Sequence, residues 1–87
     1  MNNKIGELVD RIIECQALKD YITITKDCSQ DETIDTQKVF KRRVKFTNKI
    51  LLQTGTIIEE QAAREIVNNF LTVIDTTILK NCTWING

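Results

Sequence analysis

Histidine and proline are absent from these 87 residues, and only three glycines and three cysteines are present. Without histidine, the chain has no imidazole for acid–base catalysis or for metal binding. Its few glycines match neither of the glycine-rich loops that bind phosphate groups. Cys15, Cys28 and Cys82 are spaced too widely for a zinc site. We therefore predict no catalytic residue, no metal and no cofactor, and a protein that is not an enzyme.

Long apolar runs are also missing. No stretch of about 18 apolar residues exists that would span a bilayer, and the N-terminal residues lack the apolar core of a secretory signal. An odd number of scattered cysteines argues against a disulfide-stabilised secreted domain. Asn81-Cys82-Thr83 matches the N-glycosylation pattern, which we interpret as a chance match. We expect one cytoplasmic domain, residues 1–87, with no membrane partner and no small-molecule substrate.

Apolar residues recur every three or four positions in three segments, which predicts helices at residues 3–19, 30–53 and 57–80. Ser29 with Glu32, and Thr56 with Glu59, have the spacing of capping boxes at the starts of the second and third helices. Gly55 is expected to end the second helix by adopting a positive φ. The predicted fold is all-α, a small antiparallel three-helix bundle.

Two segments fit this pattern poorly. Residues 20–29 are rich in β-branched residues that alternate with polar ones, which favours an extended or irregular link over the alternative, an irregular end of the first helix. Residues 81–87 form a tail that carries the only tryptophan, Trp84. A fourth short element, at residues 20–28 or in the tail, is the alternative to three helices alone.

Helical periodicity also assigns single residues to faces. On the third predicted helix, Asp75 falls on the polar face, and Leu71 falls outside the centre of the apolar face, as Leu52 does on the second. Phe40 and Phe46 are predicted to lie in the core. Arg43 falls within the apolar arc of the second helix. Its guanidinium either reaches water along a packed stem, the commoner case, or pairs with an acid on a neighbouring helix.

Charge is unevenly distributed although the net charge is zero. Six of the twelve basic residues lie between Lys38 and Lys49, and no acid lies between Thr36 and Thr56. An acidic block of Asp27, Asp31, Glu32 and Asp35 precedes them. On a helix, five of the bases form one stripe: Lys38, Lys41, Arg42, Lys45 and Lys49. A solvated face is the commonest reason for such a stripe.

Two functional hypotheses follow from this stripe. The first is a protein–protein interaction module, such as a small adaptor or inhibitor, that uses charge-complementary helix faces to bind a protein or a second copy of itself. The alternative is a nucleic-acid-binding protein that uses the same basic face. A pI near 6.2 weighs against the second. The predicted interaction surface comprises Lys38, Lys41, Arg42, Lys45, Lys49 and Trp84, although fold-back of Trp84 onto the bundle is the favoured alternative for that residue.

Overall fold

The chain folds into helices joined by short turns, with a very small sheet at one end. A computed structural model describes residues 3–86 and, over that range, contains four helices and two strands. In chain order these are α1 (Asn3–Glu14), α2 (Gln16–Cys28), β1 (Thr33–Asp35), α3 (Thr36–Thr54), α4 (Glu60–Ile78) and β2 (Thr83–Ile85). The all-α bundle is confirmed, with a helix as the fourth element; Gly87 of the predicted tail lies outside the described residues.

The first predicted helix is two helices, because the backbone is extended at Cys15, with φ −73° and ψ 146°. Leu8 and Ile12 of α1 are buried on one face, as their spacing predicts. The N–H of Ala17 at the start of α2 has no intrahelical partner, and it donates to the side-chain Oε1 of Gln53 on α3 at 3.0 Å. A side chain from a helix that is distant in sequence therefore provides the acceptor for an N–H group at the break between α1 and α2.

The prediction of an extended link at residues 20–29 is wrong, since most of that segment belongs to α2. Leu18, Tyr21 and Thr25 are spaced three and four residues apart, and all three are buried. The hydroxyl of Thr25 donates to the carbonyl of Tyr21 at 2.8 Å, within the helix. Burial of this face outweighs the β preference of the branched residues, because β propensity depends strongly on context.

The start of the second predicted helix is also corrected. Residues before Thr36 form a turn and β1, and the N-cap of α3 is Asp35, whose carboxylate accepts from the N–H groups of Gln37 (2.9 Å) and Lys38 (3.4 Å). Ser29 follows the end of α2 instead, where its hydroxyl donates to the carbonyl of Lys26. An aspartate that accepts from the second and third N–H groups is a strong cap, so α3 begins there.

Gly55 ends α3 with φ 78°, as predicted, and its N–H donates to the carbonyl of Leu51 at 2.9 Å. Thr56 does not cap the next helix. The carboxylate of Glu59 caps α4 by accepting from Gln61 and Ala62, and α4 ends at Ile78 rather than at Lys80. The five-residue connection makes α3 and α4 antiparallel neighbours.

The tail folds back on the bundle as β2, which pairs with β1 in parallel; Ile34 lies opposite Trp84 and Asp35 opposite Ile85. The indole Nε1 of Trp84 donates to the carbonyl of Leu79 at 3.2 Å, which confirms the fold-back. Ile34, Val39 and Leu79 form a small second core under this sheet. The sheet therefore joins the two ends of the α3–α4 hairpin.

The main core lies among the four helices. Its contribution from α4 differs from the predicted face. Ala63, Val67 and Leu71 are buried, although Leu71 was predicted to lie outside the centre of the apolar face, whereas Val73 is 62% exposed. The buried side of α4 therefore includes Leu71, and Asp75 follows on the same side. Over residues 3–86, no helix is apolar enough along its length to cross a bilayer.

The cap of α3 gives a direct test of this corrected boundary. Asp35→Ala is expected to lower the free energy of unfolding by about 1 kcal/mol, since two N–H groups lose their acceptor. Ser29→Ala, the matched substitution at the cap that the sequence predicted, is expected to cost less than about 0.5 kcal/mol. Urea denaturation followed by circular dichroism measures both, and the opposite ranking would contradict the boundary.

Candidate interaction surface

Four lysines form one solvent-facing row on α3. Lys38, Lys41, Lys45 and Lys49 recur at three- and four-residue intervals, so they share a helix face, and all four are exposed. At 1.5 Å per residue, the row is about 16 Å long. We refer to these four residues as the lysine face. No acid lies anywhere on α3, so the positive charge of this face is not neutralised within its own helix.

Arg42 does not belong to this face, contrary to the prediction. It is only partly exposed, and its guanidinium carbon lies 5.4 Å from the centre of the Tyr21 ring. Its Nη1 donates to the sulfur of Cys28 at 3.3 Å, whereas Nε and Nη2 are buried and contact no acceptor among residues 3–86. A guanidinium stacked over an aromatic ring is stabilised by the ring's quadrupole. The charge of Arg42 is therefore directed toward α2.

Arg43 pairs with a buried acid. Its Nη2 and Nε lie 2.8 and 3.1 Å from Oδ2 of Asp75 on α4, which is fully buried. The hydroxyl of Tyr21 on α2 donates to the same carboxylate, at 2.7 Å from Oδ2 and 2.8 Å from Oδ1. The prediction that Asp75 faces water is wrong. Of the two interpretations of Arg43, pairing with a neighbouring helix is right and a guanidinium in water is wrong.

This buried cluster of Tyr21, Arg43 and Asp75 sets the orientation of the lysine face. It connects α2, α3 and α4 through hydrogen bonds to a single carboxylate. The Phe46 ring packs edge-on against Tyr21 at a centroid distance of 5.3 Å, on the same side of α3. Because Arg43 and Phe46 face inward, the helix period directs Lys38, Lys41 and Lys45 outward.

The environment of Tyr21 also changes its ionisation. Burial, followed by the hydrogen bond to Asp75 and the negative charge of Asp75, raises the pKa of Tyr21 to about 12; the positive charge of Arg42 opposes this shift. A tyrosinate here would lose solvation and face a carboxylate. The phenol therefore stays protonated as the donor to Asp75 well above neutral pH.

Apolar residues border the lysine face at both ends. Leu52 is 87% exposed and lies on the same side of α3 as the lysines, one turn beyond Lys49. At the other end, Ile85 of β2 and Lys38 line one cavity of about 260 Å³. Ile85 is 46 positions after Val39, the residue that follows Lys38, so only the tertiary structure brings Ile85 to this surface. Leu71, grouped with Leu52 in the sequence, is buried.

Trp84 is folded onto the bundle, and Phe40 lies on another side of α3 from the lysine face. Trp84 is 37% exposed and lies in β2, with its indole hydrogen-bonded to the chain. Phe40, predicted to lie in the core, is exposed near the start of α3. At about 100° per residue it lies roughly 140° around the helix from Lys45. The exposed aromatic ring therefore does not alternate with the lysines.

Comparisons with known proteins find no match to this chain among family models, curated proteins or solved structures. Within residues 3–86, no three acidic or cysteine side chains come together as a possible metal-ion site.

The buried ion pair predicts a large difference between two similar substitutions. Arg43→Met keeps the packed stem but leaves the carboxylate of Asp75 without its cation, which is expected to cost about 3 kcal/mol or more of unfolding free energy. Lys45→Met on the exposed face is the control and is expected to cost less than about 0.5 kcal/mol. Adding Asp75→Asn to Arg43→Met should recover part of the loss, because the amide needs no counter-charge. Equal effects of the two methionine substitutions in urea titrations would contradict the buried pair.

The raised pKa of Tyr21 predicts that the folded protein loses stability at high pH. Below pH about 10 the phenol is protonated in both states, and its contribution to folding is constant. Above that pH the unfolded chain releases the proton first, so stability falls as pH rises toward the folded-state pKa of about 12. Tyr21 is the only tyrosine, so the ultraviolet absorbance of tyrosinate reports it alone. In Tyr21→Phe, the fall in stability over this range should be smaller; an unshifted titration in the folded protein would contradict the prediction.

Proposed function

We propose that this protein is a non-enzymatic interaction module that binds an acidic protein surface through the lysine face of α3. The observation that carries the proposal is the sorting of charge on one helix. Four lysines are exposed in a row, while the two arginines among them are drawn toward Tyr21 and Asp75. Exposed charge of one sign steers an oppositely charged partner and fixes its orientation.

The chemistry of the face favours a protein partner. Lysine is a flexible point charge that makes few geometric demands, which suits carboxylates spaced along a helix or a loop. Leu52 and Ile85 are exposed at the two ends of the row and offer apolar contacts there. A partner with acidic residues in its centre and apolar residues at its ends would complement this arrangement, because apolar contacts supply affinity that exposed ion pairs do not.

Nucleic-acid binding is the second candidate, and the same four lysines support it. Two features make it weaker. Arginine can bind a phosphate through two parallel hydrogen bonds, but the guanidinium groups of Arg42 and Arg43 contact other side chains of the bundle instead. The exposed ring of Phe40 lies on another side of α3, so no base could stack between the lysines.

The three cysteines are unpaired in the structure, which supports the cytoplasmic location that we propose with either function.

Charge reversal on the lysine face tests this proposal. Lys41→Glu with Lys45→Glu is expected to weaken partner binding at least tenfold, since two attractive contacts become repulsive. Lys19→Glu with Lys26→Glu, two exposed lysines on α2, changes the net charge equally and is expected to leave binding nearly unchanged.

Affinity capture from native lysate, with and without nuclease, provides the measurement. Proteins retained by the parent chain and by the α2 variant, lost with the α3 variant, and insensitive to nuclease support the protein partner. Material lost on nuclease treatment supports nucleic acid instead. If the two double variants retain the same proteins, the lysine face is not the binding surface.

A further inference from the structure

One side of α4 carries no charged residue and is largely apolar, although the exposed Glu65 lies beside it. Ile66 and Val73 lie roughly 160–180° around the helix from Asp75, which contacts α3, so they point away from that helix. Val73 is 62% exposed, and Ile66 and Phe70 each keep part of the side chain in solvent. Five residues share this side, which we call the α4 seam: Ala62, Ile66, Asn69, Val73 and Thr77.

The absence of charge here is unusual for this chain, in which 28% of residues are charged. Between Ile66 and Leu79 the only charged residue is Asp75, and it is buried. A shallow depression of about 320 Å³ lies along this stretch, lined by Phe70, Val73 and Ile74 together with Asn69. Two surfaces of this kind can meet without like-charge repulsion, so the seam is compatible with a second copy of itself.

The spacing of the seam suits helix pairing. Its members alternate between four- and three-residue steps up to Val73, the spacing that lets one helix pack along another. Asn69 stands near the middle, with two seam residues on either side of it. A single polar asparagine in such a seam favours one register over others, because it is best placed opposite a polar group of the partner.

We propose that two copies of this chain form a dimer through antiparallel packing of their α4 helices, centred near Asn69. In this arrangement Ile66 of one copy packs against Val73 of the other, and the same contact recurs by two-fold symmetry. The two Asn69 side chains, one from each copy, lie close together at the centre of the interface. In the same register Ala62 of one copy lies opposite Thr77 of the other, both of them small enough to let the helices approach.

Charges at the two ends of α4 select the antiparallel orientation. Glu59 precedes the helix and Lys80 follows it, and both are exposed. Antiparallel packing about Asn69 brings Glu59 of one copy opposite Lys80 of the other at both ends. Parallel packing would place like charges together at both ends, which opposes association.

The seam is small, so the dimer is weak. From Ala62 to Thr77 it is about 22 Å long, and one helix pair of this length buries less than the roughly 1,200 Å² of a stable complex. We expect a dissociation constant between about 10 μM and 1 mM. The lysine face lies on another helix and stays uncovered, so this dimer and the proposed acidic partner are independent of one another.

Sedimentation equilibrium of the full chain, up to about 1 mM, tests the dimer. Val73→Asp is expected to raise the dissociation constant at least tenfold, because each copy would bury an aspartate against Ile66 of the other. Val44→Asp is the matched control on α3, at an exposed helical valine, and should leave association unchanged. Association should persist at high salt, unlike binding through the lysine face. A strict monomer at all concentrations, or equal effects of the two substitutions, overturns the proposal.

Disulfide trapping tests the orientation. Ile66→Cys and Val73→Cys are introduced separately into a chain whose three native cysteines are replaced by alanine, with folding checked by circular dichroism. After the two proteins are mixed with oxidised glutathione, mass spectrometry should find mainly the mixed 66–73 disulfide. Predominant 66–66 and 73–73 products would show parallel packing, and a statistical mixture would show random collision; either result overturns antiparallel pairing.

Discussion

The carboxylate of Asp75 is the point on which the arrangement of three helices depends. It is fully buried, and it accepts hydrogen bonds from Tyr21 on α2 and Arg43 on α3. A buried carboxylate without these donors would be strongly unfavourable, so the three helices are constrained to bring them together. Such a cluster adds little net stability over an apolar core of the same volume, but it restricts how the helices can rotate and slide.

The surfaces of the protein follow from that constraint. Once Arg43 faces Asp75, the helix period places the four lysines of α3 in solvent and leaves the α4 seam on the side away from α3. Arg42 and Arg43 adjoin the lysines in sequence, yet they serve the interior. A basic segment in sequence is thus divided into a structural part, which contacts the interior, and an exposed part.

The small sheet has a comparable effect at the end of the bundle. Two strands of three residues would not be stable alone, but β1 and β2 cover a second core of Ile34, Val39 and Leu79. Their pairing holds the tail against the start of α3 and brings Ile85 to the cavity that Lys38 also lines. The candidate interaction surface, which spans both segments, therefore forms only when the chain is folded, and it combines a charged row with apolar ends.

The sequence alone determined the helical class, the end of α3 at Gly55 and the solvent-facing row of lysines, because these depend on local spacing and on the conformational freedom of glycine. Tertiary structure alone decided that residues 20–28 are helical, that Asp35 and Glu59 cap their helices, and that Asp75 is buried. Helical periodicity predicts a polar face for Asp75 because it considers only the polarity of each residue in turn. A charged side chain can be buried, however, when partners from distant parts of the sequence form hydrogen bonds or ion pairs with it. Tyr21 and Arg43 lie 54 and 32 residues away along the chain, a separation that no local pattern can register.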